Sequence, residues 1–161
     1  MNHENERTNL ITQVGFEKLV AEVNYLLRDE RPRIVDEVHY AALQGDRSEN
    51  AEYQYGKKRL REIDRRVRFL NKRIEDARII DPKLQNPDCV RFGARVTVES
   101  GEGKVKIYTI VGEDEIDTSK LHISWKSPVG KSLLKAKLED FVEVEAPGGT
   151  LILQIKKIEY C

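Results

Sequence analysis

The chain has 161 residues, with 28 Lys plus Arg against 28 Asp plus Glu, so its formal net charge is zero and total charge points to neither nucleic acid nor membrane. Its two cysteines, Cys89 and Cys161, share no metal-ligand spacing with each other or with His3, His39 and His122, which excludes a zinc site or a disulfide framework. No run approaches the roughly 20 apolar residues needed to span a bilayer, and the N-terminus lacks the apolar core of a signal peptide, so a soluble, cytoplasmic protein is expected.

Residues Met1 to Asn9 are polar and read as a mobile arm. Thr12 can then cap a helix in which Phe16, Val20, Val23, Leu27, Ile34, Val38 and Ala41 recur at the 3-4 spacing of a coiled-coil seam, with Arg31 in the one polar register position. Pro32 lies inside that pattern. A proline in a helix interior removes a hydrogen bond and clashes with the preceding turn, so a kink or short break within one arm is expected. A polar turn, Gln44 to Asn50, follows. A second helix, about Ser48 to Arg78, repeats the seam at Tyr53, Gly56, Leu60, Ile63, Val67, Leu70, Ile74 and Ala77, so the two helices should pair as an antiparallel hairpin.

The composition changes near Asp81-Pro82 from helix-like and charged to β-branched and Gly-punctuated. Two domains are expected, 1–80 and 89–161, joined by a linker at 81–88. In the second, Ala94–Val98, Val105–Val111, Phe141–Glu145 and Leu151–Ile155 read as strands, Gly130–Lys137 as a short helix, and Pro147-Gly148-Gly149 as a hairpin turn. The fold class is α+β.

Two features could carry chemistry. Asp46 and Glu49, three apart in the turn, can aim two hard oxygen donors at one small volume, which suits magnesium. The same spacing is that of a capping box, with Asp46 at the N-cap and Glu49 reaching back to its amide, and spacing alone leaves both readings open. Two carboxylates hold Mg²⁺ only weakly, so the turn is not a complete active site. The second feature is basic. From Lys57 to Arg73 there are nine basic residues against Glu62 and Asp64, and Lys58, Arg61, Arg65, Arg68 and Lys72 follow a 3-4 spacing that places them along one edge of the hairpin. Such a stripe either contacts a nucleic-acid backbone or pairs with acids of the partner helix.

The other candidates are plainer. His39 and His122 have no acid or nucleophile at motif spacing and read as surface or edge residues. Trp125 is either an exposed recognition residue or a strand residue at the sheet edge, and Ser127-Pro128 is a turn leading into a helix.

Taken together, these residues resemble the Gre-type transcript cleavage factors of bacteria, in their GreB branch, over nearly the whole chain. Leu10-Ile11-Thr12 with Gly15-Phe16-Glu17-Lys18-Leu19 is similar to the family's opening, Glu30-Arg31-Pro32 to its arginine-proline, and Gly45-Asp46-Arg47-Ser48-Glu49-Asn50-Ala51-Glu52-Tyr53 to its signature tip. The run Lys57 to Arg68 resembles the branch's second helix. Ile110-Val111-Gly112, Asp114-Glu115, Ser127-Pro128 and Leu133-Leu134 follow in the family's order.

The resemblance implies an N-terminal coiled coil followed by a small FKBP-like domain. It implies a monomeric factor that docks on bacterial RNA polymerase through that second domain, around Trp125, Ser127 and Pro128, and inserts the coiled coil into the polymerase's secondary channel. By likeness, Asp46 and Glu49 would share a Mg²⁺ with the polymerase and stimulate its own hydrolysis of backtracked RNA, while Lys57, Lys58, Arg61, Arg65 and Arg68 guide the nascent RNA 3′ segment. On this reading the chain is not itself an enzyme.

This sequence departs from the family at Gln13-Val14, at Lys126, where the branch usually has an acid, and at Glu139-Asp140. Two other functions fit the same features: a channel-binding regulator without cleavage, and a coiled-coil adaptor for nucleic acid.

Overall fold

The computed structural model describes residues 8–45, 50–86 and 88–160. The chain packs as two compact units, one of Glu17–Asp76 and the other of Met1–Phe16 with Ala77–Cys161. The α+β class and the helical hairpin expected from the sequence both hold.

The helical unit is a hairpin whose first arm is a single helical run in three pieces. Helix α1, Gln13–Tyr25, passes into a π-helical turn at Leu26–Glu30, which passes into helix α2, Arg31–Leu43. In the π turn the Arg31 N–H donates to the Leu26 carbonyl, five residues back. Proline's missing N–H and its clash with the carbonyl four residues back are the reason for the turn: widening the backbone just ahead of Pro32 accommodates both without breaking the arm.

The π turn also adds one residue to the helical repeat, and that moves the seam. Val23, Leu26, Glu30 and Ile34 face inward, whereas Leu27, expected in the seam, is 44% exposed. Arg31, placed in the polar register position by a uniform heptad, is only half-buried, and Glu30 occupies the interior instead.

Helix α3, Ala51–Glu75, is the second arm, about 37 Å long at about 1.5 Å per residue. Ile63 and Leu70 are fully buried along it. Gly56 lies where the arms come closest: a Cβ there would meet Val38 Cγ2 at 2.4 Å. The helix stops short of the expected Arg78, and Ala77 is not a seam residue. Ala77–Ile79 instead forms strand β2, paired in parallel with strand β1, Asn9–Ile11, in the register Asn9 to Ala77 and Ile11 to Ile79. Asn9, expected in the mobile arm, is therefore a buried strand residue, while 1–7 lie outside the described residues.

The other unit carries β1, β2 and a five-stranded sheet. Strands β3 (Ala94–Ser100), β4 (Val105–Val111), β5 (His122–Ser124), β6 (Phe141–Ala146) and β7 (Gly149–Tyr160) lie in the order β5-β4-β3-β7-β6. All neighbours are antiparallel except β4 and β5. Strand alternation puts Ala94, Val96 and Val98 inward, where they meet Ile110, Val144 and Ile155, and Leu133 of the short helix α4 (Pro128–Leu133) closes over them. Helix α4 is shorter than the expected Gly130–Lys137 because Lys135, at φ +69, cannot continue a right-handed helix.

The start of α1 is tied to the same unit. The Thr12 hydroxyl accepts from the Gly15 N–H at 3.2 Å as its cap. Glu115 then accepts from the Thr12 N–H at 3.2 Å, from the Thr12 hydroxyl, and from the Gly112 N–H at 3.0 Å. The Asp114-Glu115 pair thus has a structural task, since Asn9 also donates its side-chain amide to Asp114 at 3.1 Å.

Candidate functional site

The turn between the arms begins where α2 ends. The Gln44 N–H donates to the Ala41 carbonyl at 3.1 Å, and Gly45 follows at φ +150, a region open to glycine because it has no Cβ. Asp46 and Glu49, the candidate metal and catalytic residues, lie outside the described residues. The chain is described again at Asn50, and Asn50 settles what caps α3.

Asn50 has extended backbone, φ −80 and ψ 103, and its side-chain oxygen accepts from the Tyr53 N–H at 3.0 Å. It is the N-cap, the position that the capping-box spacing gave to Asp46. Its carboxamide also donates to the Ala41 carbonyl at 2.8 Å, so one side chain closes the base of the turn on both arms. The sequence carried this signal. Asn is among the strongest N-cap residues, and Asn50 directly precedes the run Ala51-Glu52-Tyr53, but the neighbouring Asp46 and Glu49 present a more familiar motif.

The basic residues can be placed one by one. Lys57, Lys58, Arg61, Arg65 and Arg68 are all exposed. At about 100° per residue they stand roughly 120–160° round α3 from the buried Ile63, so they form its outer face and not an edge beside the seam. Lys57 sits over the Tyr53 ring at 5.8 Å. Among the described residues no acid lies within ion-pair distance of Lys58, Arg61, Arg65 or Arg68.

Three acids of the first arm, Glu22, Glu30 and Glu37, are engaged elsewhere. Arg66 meets Glu22 at 2.7 Å, Arg31 meets Asp64 at 2.9 Å, and Arg59 donates to Glu30 at 2.8 Å. Arg33 and Glu37 pair within α2 at 2.6 Å. Lys72, at the far end of the stripe, is held by Asp76 at 3.1 Å. Pairing with the partner helix therefore accounts for Arg59 and Arg66, Lys72 pairs along its own helix, and the outer face from Lys57 to Arg68 stays charged.

Glu30 with Arg59 is a pair the heptad reading missed, since only the π turn brings Glu30 inward. The Arg31 to Asp64 pair has electrostatic consequences of its own. The hydrogen bond from Arg31 holds the Asp64 carboxyl below the usual carboxylate range, and the same bond raises the Arg31 guanidinium.

In the sheet unit, Trp125 is half-buried against the core, and its indole N–H is buried without a hydrogen-bond partner. It is not the open recognition residue that one reading of the sequence allowed. The Lys126 ammonium lies 5.2 Å from the Trp125 ring and 3.4 Å from Glu113. Ser127 is the N-cap of α4: its hydroxyl accepts from the Gly130 N–H at 3.0 Å and donates to the Ser124 carbonyl at 2.7 Å. Of the three expected partner-binding residues, Pro128 is the exposed one.

Two family matches divide the chain along similar lines. Residues 9–79 match the family described as transcription elongation factor, N-terminal, and residues 84–160 match transcription elongation factor, GreA/GreB, C-term. The chain belongs to the GreA/GreB family of transcription elongation factors. Among its relatives, the transcription elongation factor GreB of Haemophilus ducreyi is 48% identical over 154 residues, covering 96% of this chain and 95% of that protein. The GreB of Pasteurella multocida is 49% identical over 154 residues, covering 96% and 98%. A solved GreA/GreB factor from Nitrosomonas europaea aligns at a TM-score of 0.43 with 20% identity, over 95% of this chain and 98% of that one, a likeness too loose to add to the sequence match. No helix among the described residues of this factor is long and apolar enough to cross a membrane.

Proposed function

We propose that this factor enters the secondary channel of bacterial RNA polymerase with its helical hairpin and stimulates the polymerase's own hydrolysis of backtracked RNA, releasing 3′ fragments and rescuing arrested complexes. The observation that carries the reading is the charged outer face of α3. Lys57, Lys58, Arg61, Arg65 and Arg68 follow the capped turn exposed and, among the described residues, with no acid within ion-pair distance, as suits a surface tracking a phosphate backbone.

In this mechanism the outer face draws the extruded 3′ segment along the hairpin toward the turn. Asn50 holds the base of the turn on both arms, and the turn's sequence carries Asp46 and Glu49. Those two carboxylates would contribute oxygens to a magnesium ion held chiefly by the polymerase, and that ion would supply Lewis-acid and water-activating chemistry. With too few ligands of its own, the factor is a stimulator and not a nuclease. The sheet unit docks on the polymerase from the side of α4 where Pro128 is exposed. The factor acts as a monomer in the cytoplasm, where its polymerase works.

The test is a cleavage assay on a halted, backtracked elongation complex with and without the factor. Shortened transcripts that appear only with factor and polymerase together support the proposal. Cutting of free RNA by the factor alone in millimolar Mg²⁺, or no cutting in the complete system, refutes it.

A further inference from the structure

Beside the capped turn, Glu37 and Tyr40 of α2 and Ala51, Glu52 and Tyr55 of α3 line a groove on one side of the hairpin. Its two tyrosines are unusually open for aromatic residues of a paired helix: Tyr40 is 64% exposed and Tyr55 67%. Neither serves the seam, which runs through Ile34, Ala41, Gly56 and Ile63.

The charges around the groove are sorted. Glu37 and Glu52 both line it: Glu37 is paired with Arg33, and Glu52 has no cation within ion-pair distance among the described residues. Lys58, three residues after Tyr55, is its neighbour on the surface of α3, whereas Lys57 points to the other side of the helix, over the Tyr53 ring. The negative charge of Glu52 repels a phosphate, whereas a carboxylate accepts hydrogen bonds from the amino and imino edge of a base. The Lys58 cation alongside attracts the phosphate attached to that base.

From this arrangement we infer that the groove takes one unstacked nucleobase of the extruded RNA, held against Tyr55 and Tyr40, while the adjoining phosphate rests on Lys58. Exposed aromatic faces interleaved with a cationic track are the means by which proteins hold single strands without reading sequence. A base held there sets where along the 3′ segment the turn acts, so the tyrosines are positioning residues. The inference rests on the proposed cleavage function and deepens it, since it names an interaction that the charged face alone does not supply.

The experiment uses the full chain with core polymerase on backtracked complexes whose extruded RNA carries an abasic nucleotide at one position at a time. Tyr55→Leu keeps bulk and helix propensity but removes the aromatic face, and Tyr55→Phe keeps the face. With ordinary RNA, Tyr55→Leu should slow stimulated cleavage about tenfold, and Tyr55→Phe should stay within about twofold of wild type, as removal of one stacked base implies.

At one abasic position the wild-type factor should fall by a similar amount, and Tyr55→Leu should fall no further, because base and ring are two sides of one interaction. Competition with wild type for polymerase should be unchanged. Effects that multiply at every abasic position, or an unaffected Tyr55→Leu, would overturn the inference. Weakened competition would overturn it as well, by making the groove a polymerase-binding surface. The wild-type control separates the two levels: if it stimulates no cleavage, the proposed function itself fails and the inference falls with it.

Discussion

Asn50 donates a side-chain hydrogen bond to the backbone carbonyl of Ala41 at 2.8 Å, joining the end of one helical arm to the start of the other. The same side chain accepts from the Tyr53 N–H. The stability of the turn's base and any chemistry of Asp46 and Glu49 therefore rest on different residues, which makes them experimentally separable.

Asp46→Asn and Glu49→Gln should each leave the urea midpoint unchanged, because Asn50 supplies the cap. Stimulated cleavage should fall at least about a hundredfold if either carboxylate helps to hold the shared metal, at about 1.4 kcal/mol per factor of ten. Both variants should compete normally for polymerase, and higher Mg²⁺ should restore part of the rate. Cleavage at the wild-type rate by both variants would remove these residues from the mechanism.

Asn50→Ala should destabilise the hairpin by about 1–2 kcal/mol, since it deletes an N-cap and leaves the Ala41 carbonyl with one donor fewer. Asn50→Asp keeps the acceptor for Tyr53 but cannot donate to Ala41, so its destabilisation should be smaller. Equal stability of all three proteins in urea would mean that the cap contributes nothing.

Gly56→Ala is a test of sign. In an open helix this change stabilises by about 1 kcal/mol. Here the added methyl meets Val38, a stiff β-branched side chain, at 2.4 Å, and a net destabilisation of roughly 1–3 kcal/mol is expected. A higher urea midpoint would show that the arms separate easily at this level.

Changing Lys57, Lys58 and Arg61 together to Glu should weaken engagement of long extruded RNA more than short. The slope of log affinity against log salt should become shallower by roughly 0.7 for each phosphate that the helix no longer engages. Ile63 and Leu70 are untouched, so folding should persist. An unchanged salt slope would reduce the outer face of α3 to a solvated surface.

Because Asp64 is held below its ordinary value by Arg31, protonation favours the unfolded chain, and the contribution of the pair is complete above the unfolded Asp range near about 4. It disappears as pH falls through the lower folded value. Both side chains are part-exposed, so solvent limits the contribution to about 0–1 kcal/mol. The difference in urea stability between wild type and Asp64→Asn should shrink between pH 7 and pH 3. A difference independent of pH would rule out the linkage.

The sequence by itself determined the hairpin, the α+β class, the main strands and the basic run, because each rests on a repeating local signal: the 3-4 spacing through Ile63 and Leu70, strand alternation at Val96 and Val98, and charge density from Lys57 to Arg73. Which residues sit inside the first arm was decided only in three dimensions. Pro32 is visible in the sequence, but a kink, a break and a π turn all answer it, and only the π turn carries Glu30 inward to Arg59 and turns Leu27 out. The cap, which the motif spacing gave to Asp46, falls to Asn50, and only the backbone geometry shows it. The pairing of Asn9–Ile11 with Ala77–Ile79 joins segments more than 60 residues apart, and three-residue strands leave too short a pattern to read. Local periodicity is written along the chain, whereas the partner of each side chain depends on which distant backbone arrives beside it.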